Sequence, residues 1–298
     1  MSVVVTVVMP SFNRPEYLEA TIESVRAQSY TDWELVIADD GSEGEARRIL
    51  EEASTHERTR VLWLDHAGNP ARARNAGIRA ASGRYVAFID SDDLWEPRKL
   101  ERQLSQLARE PACRWCYTAF TRVDAVGSVL REEATRPWNA LRGDVLLALI
   151  DERATVRAPS VVLAERALLE QAGGFDERLR ICNDSDLWMR LALLSPVALV
   201  DESLVRVRID RGSLSARARQ VFQERERSLV RFAASAPRHA QSALRRARTW
   251  NSLSAAARLY AELGRGAAVQ ELRRSLAFAW PYPGWWLRGA RLVLRGTR

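Results

Sequence analysis

The chain has 298 residues, 47% of them hydrophobic and 28% charged, enough for one large α/β domain with a helical appendage and too apolar for global disorder. Its net charge of +7 conceals an asymmetry: residues 215–298 hold 17 arginines, no lysine and 4 glutamates, whereas residues 1–214 hold 28 basic and 34 acidic side chains. A mildly acidic body thus carries a basic tail, which suits an anionic partner such as phosphate, nucleic acid or a membrane surface.

Val3 to Val8 is an unbroken, β-branched apolar run, the mark of a strand buried on both faces. No basic leader precedes it, so no secretory signal is expected. Pro10, Ser11 and Asn13 end the strand, and a helix is predicted from Pro15 to Gln28, with the proline in its first turn. Leu35 to Ala38 is a second strand, running into Asp39-Asp40-Gly41-Ser42. A polar helix over 45–53, a strand over 61–64 and a helix from Asn69 or Pro70 to about Gly83 follow. Tyr85 to Ile89 is a fourth strand, which delivers the chain to Asp90. The alternation of strand and helix argues for a parallel, doubly wound sheet with right-handed crossovers. Ligands of such sheets bind beyond the carboxyl ends of the strands.

The second half is more mixed. A helix over 97–109 leads to strands over 115–123 and 128–131, joined through Val126-Gly127. Cys113 and Cys116 flank Trp115, and Cys182 stands apart. One CxxC with no second pair is short of a zinc site, and three cysteines make no disulfide framework, so a reducing compartment is expected. Helices over 142–150 and 165–172 flank a short strand over 160–163, a helix runs over 184–194, and 197–209 reads as strand, loop, strand. Beyond Ser215 the pattern is helical, with a helical hairpin over 255–281 that turns at Leu263-Gly264-Arg265-Gly266. No apolar run approaches the roughly 20 residues that span a bilayer.

The sharpest chemical signal is Asp90-Ser91-Asp92-Asp93 at a strand end. Three carboxylates so close repel one another, and a hard divalent cation such as Mn²⁺ or Mg²⁺ relieves that repulsion while accepting phosphate oxygens as further ligands. A helix N-cap explains one carboxylate there, not three. Asp39 and Asp40 can accept from a base N–H or a ribose hydroxyl, or they can simply form an Asx turn before Gly41. Arg72, Arg74 and Asn75 stand near the start of a helix, where a guanidinium can grip a diphosphate or face solvent. Asp184 and Asp186 open a later helix, each able to act as a general base or as a cap. Arg208 and Asp210 follow downstream. No glycine-rich phosphate loop and no Ser-His-Asp set is present, so phosphate recognition would rest on metal and arginine.

In their order, Val8-Met9-Pro10-Ser11-Phe12-Asn13-Arg14, Glu34-Leu35-Val36-Ile37-Ala38-Asp39-Asp40-Gly41-Ser42, Ala73-Arg74-Asn75-Ala76-Gly77, Ala81-Ser82-Gly83-Arg84-Tyr85 and Phe88-Ile89-Asp90-Ser91-Asp92-Asp93 resemble the family 2 glycosyltransferases over roughly residues 3–215. The last block is similar to the family's DxD signature. The resemblance implies a GT-A fold: a Rossmann-like nucleotide-binding domain with a mixed, mostly parallel sheet over 1–214 (1–110 for the nucleotide sugar, 111–214 for the acceptor), followed by a basic α-helical region over 215–298. It implies inverting transfer from a nucleoside-diphosphate sugar, UDP-linked above others, to a glycan or lipid-linked acceptor in cell-surface polysaccharide synthesis.

By the same resemblance Pro10, Ser11, Asn13, Asp39, Asp40, Arg74, Asn75, Asp90 and Ser91 bind the donor nucleotide, with Arg72, Asp93 and Arg208 as further candidates. Asp92 is the principal metal ligand, with Asp90 and Asp210 beside it, and Asp184 is the base. Two departures stand out: Asn183 occupies the place of a usual glutamate, leaving the base open between Asp184 and Asp186, and Asp210 occupies the place of a usual histidine. The expected setting is a bacterial cytoplasm. The tail, where Trp280, Trp285, Trp286 and Leu287 interleave with Arg288, Arg291 and Arg295, is expected to touch the inner face of the membrane peripherally. A nucleotidyltransferase would want a glycine-rich loop after the first strand, and a nucleic-acid binder a recognition motif; neither is present. A sugar-nucleotide binder with impaired catalysis is the remaining alternative.

Overall fold

The computed structural model describes residues 4–133, 141–152, 156, 158–209, 218–279 and 281–295. They form two compact units, Met1–Val145 with Ala154–Arg211, and Leu146–Arg153 with Gly212–Arg298. The short segment 146–153 therefore groups with the C-terminal helices, where the sequence reading had divided the chain once, at 214.

The described residues of the first unit build one nine-stranded sheet. Strands β1 (Val5–Ser11), β2 (Trp33–Asp39), β3 (Thr59–Trp63) and β4 (Tyr85–Phe88) alternate with helices α1 (Pro15–Arg26), α2 (Gly44–Ala53) and α3 (Pro70–Ala80). They pair in parallel in the order β3-β2-β1-β4. The apolar run that marks β1 is buried almost throughout, as a central strand covered on both faces requires. Pro15 and Pro70 each open a helix, where the missing N–H costs nothing, and the Asn69 side chain accepts from Ala71 N to cap α3. The register sets Ser11 opposite Asp39 and Val8 opposite Phe88, so the ends of β1, β2 and β4 meet on one edge.

Beyond β4 the sheet becomes mixed. Strand β8 (Val162–Glu165) runs antiparallel to β4, and β6 (Trp115–Val123) antiparallel to β8. Strand β9 (Val197–Arg208) lies parallel to β6, and β7 (Val129–Glu133) closes a hairpin on β6. A two-residue strand, β5 (Leu94–Trp95), pairs antiparallel with β9; two residues carry no periodicity and were not legible beforehand. Residues 197–208, expected as strand, loop, strand, form one strand whose pairing with β6 shifts register near Thr118 to Thr121. The irregularity is a bulge within the ladder and not a break. Helices α4 (Lys99–Arg109), α6 (Arg166–Gln171) and α7 (Asn183–Leu194) complete this unit, with a 3-10 turn over Pro159–Val161.

The second unit contains α5 (Leu146–Ile150), shorter than the helix expected over 142–150, then α8 (Ala218–Ser235), α9 (Gln241–Leu263), α10 (Arg265–Ala279) and α11 (Pro283–Arg295). The turn expected at 263–266 is present, with Gly264 at φ 82° between α9 and α10, a left-handed position that glycine adopts without strain. Arg246 of α9 holds the Asp151 carboxylate at 2.5 Å, which ties α5 into the bundle. Ala256, Ala268, Leu272, Ala279, Trp285 and Leu292 form its core. None of the described helices is long and apolar enough to cross a membrane.

At the edge of the sheet opposite the β1, β2 and β4 ends, Gly83 donates to Thr6 Oγ1 at 2.9 Å, and Glu34 accepts from Thr6 Oγ1 and from Ser82. A Cβ on Gly83 would lie 2.6 Å from the backbone nitrogen of Thr6. Because that atom belongs to the central strand it cannot yield, and Gly83→Ala is expected to lower the unfolding free energy by about 1–3 kcal/mol, read in a urea titration; an unchanged midpoint would contradict this packing.

Candidate active site

The acidic loop after β4 is held from every side, and its three carboxylates have different fates. Asp90 receives the Arg74 guanidinium at 2.6 Å. Asp93, almost fully buried, accepts from Ser160 Oγ at 2.5 Å and from the Arg208 backbone N–H at 2.9 Å. Burial, reinforced by the nearby Asp92 and Asp90 charges, pushes its carboxyl well above the usual range. Asp92 is only partly buried and accepts no hydrogen bond from another side chain among the described residues. Desolvation and the Asp90 charge raise it to about 6, against the pull of Arg14 and Arg208.

Around these carboxylates lies a scaffold of neutral groups. Ser160, fully buried in the 3-10 turn, accepts from Asp90 N–H and donates to Asp93. Thr21 of α1 donates to the Ser91 and Asp93 carbonyls at 3.1 and 2.9 Å. Arg208 donates from Nε to the Asp92 carbonyl and from its terminal nitrogen to Asp124 and Ala125 carbonyls in the β6–β7 turn, with its plane over the Tyr17 ring. Sequence reading missed Ser160, Thr21, Tyr17 and Arg14: a serine before a strand and a threonine on a helix's inner face carry no pattern of their own.

The residues expected to bind the nucleotide divide in two. Asp39 is fully buried and accepts from Ser42 N and Ser42 Oγ. Asp40 accepts from Ala67 N and Gly68 N, and His66 Nδ1 stands 3.2 Å from it. Asn13, at a left-handed φ of 46°, donates its N–H to Ser42 Oγ and accepts from Glu43 N. These groups fasten the loops after β1, β2 and β3 to one another. Phe12, 40% exposed, stacks on His66 with ring centroids 4.2 Å apart, leaving an aromatic surface beside Pro10 and Ser11. Arg72 is half-buried on α3 and reaches the Asp65 carbonyl.

Arg74 is buried and does not face solvent. It spans from Asp90 to Asn183 Oδ1, 3.2 Å away at the start of α7, and lies over the Phe175 ring. Asn75 accepts from Phe175 N and donates to the Phe175 carbonyl and Glu177. Gly174, at φ 66°, permits this approach, since a Cβ there would meet Asn75 Oδ1 at 2.7 Å. Arg74 and Asn75 thus bind the parallel half of the sheet to the loop that precedes α7 and to its first residue.

On α7 the two candidate bases part. Asp186 is buried against Arg190, at 2.7 and 2.9 Å, and Arg190 also donates to the Ala172 and Gly174 carbonyls. Asp184 is partly exposed; desolvation raises its carboxyl to about 6, with Asp90 adding to the shift and Ser185 N and Arg74 opposing it. Asp210 lies outside the described residues, and among those described no group of three His, Cys, Asp or Glu side chains is arranged to hold a metal. The two carboxylates of Asp90 and Asp92 are hard oxygen donors, so a divalent cation here would take its remaining ligands from a phosphate-bearing molecule, water or residues such as Asp210.

Comparisons with known proteins identify the family and the fold. The family model described as glycosyl transferase family 2 matches residues 6–171. The putative teichuronic acid biosynthesis glycosyltransferase TuaG of Bacillus subtilis (strain 168) is 33% identical over 71% of this chain and 81% of its own. The UDP-Glc:alpha-D-GlcNAc-diphosphoundecaprenol beta-1,3-glucosyltransferase WfgD of Escherichia coli is 41% identical over 35% of this chain and 41% of its own. Four of the curated relatives are matched over only 29–41% of their own length. In fold, the chain is similar to S. aureus TarS 1-349 in complex with UDP-GlcNAc (TM-score 0.65, 16% identity, 97% of this chain and 91% of that one). It is also similar to the mannosyltransferase PcManGT of Pyrobaculum calidifontis in complex with GDP-Man and Mn²⁺ (TM-score 0.62, 20% identity, 99% and 88%). The architecture is that of the GT-A transferases.

The contrast between Asp184 and Asp186 is open to test without any substrate. Asp186→Asn removes one partner of a buried ion pair and is expected to destabilise the fold by about 3 kcal/mol. Asp184→Asn removes a carboxylate that burial already disfavours, and the unfolding midpoint should hold or rise at neutral pH. Equal losses from both would contradict the separation.

Proposed function

This chain belongs to glycosyl transferase family 2, and from that premise we propose that it transfers a sugar, with inversion at the anomeric carbon, from a UDP-linked donor to a hydroxyl of a lipid-linked glycan during cell-surface polysaccharide synthesis. The observation that carries this reading is the Arg74 bridge. One buried guanidinium joins Asp90 of the acidic loop to Asn183, the neighbour of Asp184, which supports assigning the cation to the acidic loop and the base to the start of α7.

In this reading Phe12 and His66 offer a stacking surface to the base, and Pro10, Ser11 and the Asp40 loop bound the nucleoside. Asp92 and Asp90 would hold a divalent cation, Mn²⁺ or Mg²⁺, which would offset the charge that grows on the departing diphosphate. Asp184 accepts the proton of the acceptor hydroxyl as its oxygen bonds to the anomeric carbon and the carbon–phosphate oxygen bond breaks. A carboxyl raised to about 6 is a better base than an ordinary aspartate and is still ionised at neutral pH. Asn183 does not remove this function, because its amide oxygen still receives Arg74. UDP as carrier is supported by what WfgD and TarS are named as using or binding, and a lipid-linked acceptor by the name of WfgD. The basic C-terminal region suits a cytoplasmic protein that meets such an acceptor at a membrane face.

Two measurements test the proposal. Calorimetric titration with UDP, GDP and dTDP should show UDP binding that requires Mn²⁺ and is lost in Asp92→Ala; metal-independent binding unchanged by that substitution would contradict the assignment. The rate of UDP release from a UDP-sugar in the presence of acceptor should fall as the pH drops through about 6, because protonation removes the base. Asp184→Asn should lower that rate about 10²–10⁴-fold with little effect on UDP affinity. Nucleotide binding without turnover in the wild type would instead favour a sugar-nucleotide binder with impaired catalysis.

A further inference from the structure

Helix α11 carries three faces where a helix at the surface of a bundle needs two. Its inner face docks it: Trp285 and Leu292 are buried in the core of the second unit. Trp285 Nε1 donates to Ser252 Oγ at 3.2 Å, and Gly289 lies where a Cβ would touch Leu272 at 3.4 Å. Residues 285, 289 and 292 follow helical spacing, so this face is complete. A second face, also at helical spacing, holds Trp286, Leu287, Ala290 and Leu294. It is apolar and open to solvent: Leu287 and Leu294 are each 74% exposed and Trp286 37%. Along its border runs a third row, Arg288 and Arg291, and α11 contains no acidic residue. Arg288 extends over the ring of Trp250 on α9, which is itself 37% exposed.

We propose that α11 is a membrane-interface helix whose Trp286-Leu287-Ala290-Leu294 stripe enters the surface of an anionic lipid leaflet while the arginine row meets the headgroups. An apolar stripe bordered on one side by cations alone is the arrangement that such a surface selects. The indoles of Trp286 and Trp250 are suited to headgroup depth, where one edge is wet and the other apolar. The charge argues against a second copy of this chain as the occupant. Antiparallel isologous pairing of the stripe would bring the two arginine rows together, whereas an anionic leaflet neutralises them. The helix is held by Trp285 and Leu292 and need not reorganise to bind.

Attachment serves the reading above that the acceptor is lipid-linked and rests on it for its purpose, yet vesicle binding requires neither donor nor acceptor, so the two fail separately. The test is co-flotation of the full chain with vesicles of phosphatidylcholine alone or of equal parts phosphatidylcholine and phosphatidylglycerol. The wild type should float with the anionic vesicles and not with the neutral ones, and less so as salt rises. Replacing Arg291 with alanine should weaken binding about fivefold. Leu287→Glu with Leu294→Glu, two exposed positions outside the core, should abolish flotation while leaving Mn²⁺-dependent UDP binding and the unfolding midpoint unchanged. No flotation of the wild type, or equal flotation of the double variant, would overturn the proposal. So would a wild-type dimer in sedimentation equilibrium that the double variant converts to monomers, since the stripe would then belong to a second copy.

Discussion

Carboxylates crowded at the end of a buried strand cannot all remain charged without compensation, and the first unit is arranged around that constraint. Asp90 is compensated by the buried Arg74 guanidinium. Asp93 is compensated by a hydroxyl and a backbone N–H, and burial lifts its carboxyl well above the usual range. Asp92 accepts no hydrogen bond from another side chain among the described residues, is drawn down only by the nearby Arg14 and Arg208 charges, and keeps part of its surface. Four residues therefore present one carboxylate with no side-chain hydrogen bond among the described residues, beside two that are hydrogen-bonded.

The same contacts join the two halves of the sheet. Ser160, which receives Asp90 N–H and donates to Asp93, lies in the 3-10 turn just before β8, the strand at which the parallel half gives way to the antiparallel one. Arg74 crosses to the start of α7, and Arg208, at the end of β9, grips the loop at Asp92 together with the β6–β7 turn. The loops after β1, β2 and β4 and the elements β6, β9 and α7 are thus held by hydrogen bonds to one short loop. The rigidity this gives is what a transfer reaction needs, since reacting groups must be held within fractions of an ångström.

Much of this architecture could be read from the chain. The β-branched run of β1, Pro15 and Pro70 at helix starts, and the carboxylates after β2 and β4 fixed the alternating half and the edge where its strands end, because strand period and helix punctuation are local properties. What could not be read was the division of labour among polar residues. Asp39, Asp40, Asn13, Arg74 and Asn75 read as groups aimed at a nucleotide; in the fold they also hold together the loops at this edge of the sheet. Asp184 and Asp186, two residues apart on one helix, were equivalent until Arg190, four residues on, took Asp186. Contacts between residues a hundred positions apart, such as Arg74 with Asn183, leave no trace in spacing. In the helical unit, the arginine count predicted an anionic partner, but only the burial of Trp285 and Leu292 separated the face that packs from the face left open.

The central claim, that Asp92 is the carboxylate reserved for a cation shared with the donor diphosphate, is tested most directly by anomalous diffraction from a crystal grown with Mn²⁺ and UDP. A single strong anomalous peak is expected within bonding distance of an Asp92 oxygen and of the diphosphate, with Asp93 still bound to Ser160 and Arg208. A peak ligated by Asp93 and not by Asp92, or UDP bound at the ends of β1 and β2 with no metal near the acidic loop, would contradict it.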